Sequence, residues 1–177
     1  MKKVLFLLAS IVLVLSGCKT QDPAVKEAKN AEKEFKFQKA VEALNSHEFV
    51  LEADRITFKN GRYSYVSPST NFVSMTGDKA TIQLAFNSPY AGPNGMGGIT
   101  VDGTASNIKT KTDKKGNVTF SMNVFGTGVS AVVTINMVAG SNQCTAIVTP
   151  NFNSRVITFS GYLYPKSESD VFKGRAL

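Results

Sequence analysis

Few residues in this chain are equipped for chemistry, and they are scattered. His47 is the single histidine, Cys18 and Cys144 are the two cysteines, and there is no tryptophan. A nucleophilic unit of the Ser-His-Asp or Cys-His kind would have to use His47, with Cys144 or a serine brought to it by the fold. A zinc site wants three or four imidazole or thiolate ligands, and this inventory falls short. Asp102, Asp113, Glu48, Glu52 and Asp54 could meet across strands as a glycosidase pair, although acids at turns and edges are ordinarily solvated. His47 falls where a helix should end, and an imidazole there suits the negative end of the helix dipole. Cys144 alternates with Ala146 and Val148, the pattern of a small core residue rather than a reactive thiol. These residues assign no catalytic group and no metal ligand, and no cofactor is expected.

Residues suited to binding are easier to find. The glycine-rich loop from Asn87 to Gly98 contains Tyr90, Asn94 and Met96 and no charged residue. Loops of this length in a small domain often carry function, and its backbone amides could cradle an anion. It lacks the Gly-Lys-Ser/Thr of a phosphate-binding loop and no helix follows, so nucleotide motifs fail. The plainer alternative is a connection that needs positive φ at several glycines. Tyr162 and Tyr164 share one strand face opposite Ile157, Phe159 and Leu163, which turns their hydroxyl-bearing rings outward. Cross-strand aromatic packing is one reading; a platform for a sugar ring or an extended peptide is the other. Tyr90, Asn94, Met96, Tyr162 and Tyr164 are therefore the candidate ligand-binding residues.

What would hold these elements in place begins at the N-terminus. Lys2 and Lys3 precede an apolar run from Val4 to Leu15, broken only by Ser10. The run is shorter than the roughly 20 residues a spanning helix requires and fits a secretory leader. Leu15-Ser16-Gly17-Cys18 resembles the lipobox of bacterial lipoproteins. That resemblance implies removal of residues 1–17, lipidation of Cys18 and a short linker, 18–22. Two or more acyl chains give stable anchoring. The residues after Cys18 lack an aspartate at the next position and lack an acidic run, a pattern similar to outer-membrane sorting. Periplasm-facing attachment is expected over surface display.

The net charge is +7; losing Lys2 and Lys3 with the leader leaves +5. The lysines are interspersed with acids and form no stripe with aromatics, so nucleic acid is not expected as a partner. Asp22-Pro23 reads as a helix start, and the helix should run over 23–46. Its charged first half suits a solvated spacer, while Phe37, Ala40, Val41 and Leu44 form a docking side. From residue 47 the apolar period drops from 3.6 to 2 and stays there to residue 165. Strands are expected near 49–58, 63–65, 71–75, 80–86, 99–108, 118–124, 129–137, 144–148 and 157–163, joined by tight turns such as Asn60-Gly61. Val132 and Val138 lie on the second face of their strand, which makes that strand read as central. With no helix between strands, the fold class is mainly β: one antiparallel sandwich or partly closed barrel of about eight or nine strands behind one long helix. A tail, 166–177, follows, pinned back to the body through Val171 and Phe172.

Three segments, Asn87-Ser88-Pro89-Tyr90-Ala91-Gly92, Gly97-Gly98-Ile99-Thr100-Val101-Asp102-Gly103 and Arg155-Val156-Ile157-Thr158-Phe159-Ser160-Gly161, carry a resemblance that covers most of the chain after the helix. It is to a family of small Bacteroidetes lipoproteins, domain of unknown function 4251. Members often read Leu-Pro-Tyr-Phe-Gly at the first segment, where this chain has Ser88 and Ala91. The resemblance implies a membrane-anchored β domain and brings no activity, cofactor or catalytic residue. The expectation is a lipid-anchored envelope protein that binds a glycan, a peptide or an envelope protein without catalysing a reaction. Two alternatives stay open: an envelope hydrolase acting, for example, on glycans through the scattered acids or His47, and a purely structural envelope protein.

Overall fold

A helix, α1 (Pro23–Ser46), leads into nine strands: β1 (Glu48–Phe58), β2 (Tyr63–Tyr65), β3 (Phe72–Thr76), β4 (Lys79–Leu84), β5 (Ile99–Thr112), β6 (Val118–Gly126), β7 (Ser130–Met137), β8 (Gln143–Pro150) and β9 (Ile157–Pro165). A 3-10 turn (Lys166–Glu168) opens the tail. The computed structural model describes residues 23–151 and 155–177, so Cys18, the leader and the Asp22 cap lie outside the described residues. By internal contacts the chain divides into residues 1–32 and 33–177. Within the first unit, 23–32 are helical and exposed throughout; the rest of the account concerns the second.

Period-2 alternation makes the strands. In β6, Val118, Phe120, Met122 and Val124 are buried while Thr119, Ser121 and Asn123 between them are not. Tight turns set the register. Asp113 accepts from the backbone N–H of Lys115 (2.8 Å) and Asn117 (2.9 Å) and from the Asn117 amide (2.8 Å), which closes the β5–β6 turn. Those bonds from Asn117 hold its carboxyl below the usual carboxylate range. Asn107 takes a φ of +50° at the irregularity between Ser106 and Lys109, a conformation asparagine tolerates.

Every pairing is antiparallel. Strands β3 to β9 follow one another in order, β3 joins β1, and β1 joins β9, so eight strands close into a ring with β2 as an extra strand on the second half of β1. The alternatives of sandwich and partly closed barrel thus resolve to a closed barrel. The β1–β9 seam runs from Phe49 opposite Pro165 to Phe58 opposite Ile157, with a bulge between Ala53 and Arg55. Gly161 sits opposite Ala53, and a side chain there would run into the carbonyl oxygen of Glu52. Glycine is what lets the two backbones approach closely enough.

Closure also corrects one expectation. Val132 and Val138 are 47% and 66% exposed: the described tail covers the outer face of the ring at Gln83 of β4, and no such cover lies over these two. A further difference is that β4 stops at Leu84 instead of Phe86: the Ala85 N–H bonds the side chain of Asn71 (2.8 Å) rather than a strand.

Helix α1 closes one end of the ring. Phe37, Ala40, Ala43 and Leu44 are buried within the same core cluster as Phe49, Leu51, Phe120 and Leu163. Phe35, on the other side, is 61% exposed with the Lys39 ammonium 5.0 Å over its ring. The helix ends at His47, whose φ is +60°; its N–H bonds Leu44 O (3.3 Å) and its carbonyl accepts from Gly77 (3.1 Å). That last bond ties the helix end to the β3–β4 turn.

Candidate binding site at the open end of the barrel

Among the described residues, no helix covers the inward residues at the opposite end. There the ends of β4 and β8 meet the starts of β5, β7 and β9 around a cavity of about 230 Å³. Its walls are Ile82 and Leu84 of β4, Ile99 and Val101 of β5, Ala131 of β7 with Val129 just before it, Val148 and Pro150 of β8, and Ile157 and Phe159 of β9. Ile82, Leu84, Val101 and Ala131 keep 6–8% of their surface, so the cavity is reached by solvent. Phe58, opposite Ile157 in register, sets its ring 5.9 Å from that of Phe86 at the same end. An eight-stranded barrel has an interior just wide enough to be filled by side chains or to hold one small ligand. This one does the first at the helix end and leaves room for the second here.

One lining residue is charged. Arg155, two residues before the start of β9, is exposed, and no hydrogen bond or ion pair joins it to another of the described residues. Ile99, Val101, Arg155, Ile157 and Phe159 stand in the segments that carry the family resemblance, yet nothing in their spacing marks them as the lining of one cavity. An apolar residue at a cavity mouth alternates along its strand as a core residue does, and only the convergence of strand ends at one rim distinguishes it.

The residues chosen from the sequence lie elsewhere, and they do not form one site. Asn94 is buried, and its side chain is used up tying its loop to β4 and β5. Its amide donates to Leu84 O (2.9 Å) and approaches Thr100 Oγ1 (3.4 Å), while its oxygen accepts from Met96 N (2.9 Å) and Gly98 N (3.1 Å). Gly97 takes a φ of +77° within that turn. Tyr90 is 74% exposed on the same loop. Met96 lines a shallower depression of about 650 Å³ with Tyr65, Val66 and Phe86. Tyr162 and Tyr164 are on the outer face of β9, opposite Glu52 and Val50, toward the helix end. Burial and the Glu52 carboxylate push the Tyr164 phenol up.

The groups considered for catalysis are also dispersed. His47 presents its ring edge to Phe120 at 6.3 Å. Asp102, on the outside of β5, accepts from Thr81 Oγ1 and Lys173 Nζ, each at 2.7 Å. Cys144 is buried, and desolvation drives its thiol far above the ordinary range, which disfavours the reactive thiolate. Among the described residues, no three His, Cys, Asp or Glu side chains gather closely enough to hold a metal ion.

The tail packs on the outside of the wall through a buried amide. Gln83 donates to Thr70 O (3.0 Å) and Phe172 O (2.7 Å) and accepts from Thr100 Oγ1 (2.9 Å) and Gly174 N (2.8 Å). All the bonding capacity of that amide is used. Phe172 is thus pinned through its backbone, as its N–H to Ser69 O (2.8 Å) also shows, while its ring stays 64% exposed.

Comparison with known proteins gives a family and a fold. The family model described as domain of unknown function DUF4251 matches residues 31–163. The crystal structure of a DUF4251 family protein from Bacteroides eggerthii DSM 20697, at 1.95 Å resolution, is 45% identical, with a TM-score of 0.71 over 84% of this chain and 99% of that one. No curated protein matches.

Proposed function

The chain belongs to the DUF4251 family, and from that premise we propose that it is a binding protein, not an enzyme, that holds one small apolar molecule in the open end of its barrel. The observation that carries this is the cavity of about 230 Å³ lined almost wholly by aliphatic and aromatic side chains. An apolar cavity of about 150 Å³ is enough to take up benzene, so this one has room for a somewhat larger guest. Transfer of a guest methylene out of water is worth about 0.8 kcal/mol. The proposal includes the lipid anchor at Cys18, which would keep the barrel at a membrane surface in the cell envelope, on the periplasmic side of the outer membrane. The resemblance of Leu15–Cys18 to a lipobox supports that address.

Methyl-resolved NMR titration with octanol tests the binding reading. Shifts are expected at Ile82, Ile99, Val101 and Ile157, with none at Leu44 or Ala40. Filling the cavity with Ala131→Phe should abolish them in a folded protein. Unmoved methyl groups at the mouth, or equal shifts at both ends, would sink the reading. Metabolic labelling with a fatty acid tests the anchor: label is expected on the wild type and not on Cys18→Ser.

A further inference from the structure

We infer that the guest is a medium-chain carboxylate, its tail inside the barrel and its headgroup on Arg155. The inference rests on the cavity being a binding site and adds the chemical class of what it binds. The lining offers an apolar interior and, at its rim, the guanidinium of Arg155, exposed and joined to none of the other described residues. A guanidinium presents a planar fork that matches the two oxygens of a carboxylate.

The charge around the mouth points the same way. Among the described residues, the connections 59–62, 66–71, 85–98 and 127–129 lie at that end of the barrel, with Asn151 after β8 and Arg155 and Val156 before β9. Together they contain Lys59, Arg62 and Arg155 and not one aspartate or glutamate. At the helix end the turns are mixed, with Asp78, Asp113, Lys114 and Lys115. A one-signed rim draws an anion and disfavours an amine, while the aliphatic walls accept a chain.

The volume sets the length of that chain. At roughly 30 Å³ per methylene-sized group, the share of a liquid water, a cavity of about 230 Å³ admits about eight. Octanoate is therefore the probe, with octanol and octylamine as partners of equal length.

Isothermal titration of the full chain with each ligand, below its micelle concentration, decides the matter. Octanoate should bind best. Arg155→Met should weaken octanoate by about two- to fivefold, the range of an exposed ion pair, and leave octanol unchanged. Arg155→Glu should move the preference to octylamine. If octanoate binds no better than octanol, or Arg155→Met changes nothing, the carboxylate assignment is overturned while the apolar site stands. If Lys59→Met with Arg62→Met removes the whole preference and Arg155→Met none of it, the headgroup position is wrong. If none of the three ligands binds, the site itself falls, and the inference with it.

Discussion

At one end of the barrel, Leu44, Ala40, Phe49, Leu51 and Phe120 have no exposed surface; at the other, Ile82, Leu84, Val101 and Ala131 retain a few per cent each and enclose a cavity. The strands are the same and so is their alternation. What differs is α1, whose Phe37, Ala40, Ala43 and Leu44 complete the packing at one rim only. A barrel built from repeated short strands has two mouths, and the short docking side of one helix, Phe37 to Leu44, is enough to make one of them structural.

Substitutions can test that asymmetry directly. Phe120→Ala should have the largest effect, about 3–5 kcal/mol lost in denaturant unfolding, because the ring is fully enclosed and the space cannot refill. Leu44→Ala should cost about 2–5 kcal/mol for the same reason; a loss below about 1 kcal/mol would mean the helix does not plug the barrel. Overpacking gives a sharper contrast. Ala40→Phe at the closed end should destabilise by about 1–3 kcal/mol, whereas Ala131→Phe at the open end should lie within about 1 kcal/mol of wild type, because its ring enters existing space. Equal penalties would erase the distinction between the ends.

Two smaller effects concern the edges of the comparison. His47→Gly relieves a left-handed residue, worth about 1–2 kcal/mol, and gives up an edge contact with Phe120, worth about 0.5–1.5 kcal/mol. The net change should stay within about 1 kcal/mol, as read from the unfolding midpoint. On the wall between the ends, burial alone would raise the Asp102 pKa, but hydrogen bonds from Lys173 and Thr81 outweigh it and lower it. The stabilisation this group gives is therefore complete above its unfolded value near 3.8 and is lost as the pH falls through the lower folded value. Because the pair is largely exposed, the loss should be under about 1 kcal/mol. It should be visible as a lower unfolding midpoint at acid pH, and Asp102→Asn should carry that loss at neutral pH as well.

Much of this architecture was legible in the sequence, because its signals are local. The helix over 23–46, the period-2 strands and turns such as Asn60-Gly61 and Asp113–Gly116 follow from side chains within a few residues of each other. Ring closure is different in kind: the partners of Phe49 to Phe58 on β9 lie 99 to 116 positions away, and Gly161 explains the seam only once Glu52 is seen beside it. That is why Val132 and Val138 suggested a covered strand and are in fact exposed. The cavity was illegible for a related reason. Ile99 and Val101 read like any core pair, and Arg155 acquires meaning only from the rim it shares with Lys59 and Arg62. Asn94 was conspicuous in sequence, but its own loop and the flanking strands consume its hydrogen bonds.

The seam has a kinetic corollary. Strand β1 is made first and β9 last, and each is the other's lateral neighbour, so a chain emerging from its N-terminus must leave one side of β1 unzipped until nearly everything else exists. Such late, long-distance zipping is slow, and an unzipped strand is a template for the wrong neighbour. A nick between β8 and β9 should therefore be tolerated better in the finished ring than a delay in supplying the last strand during assembly.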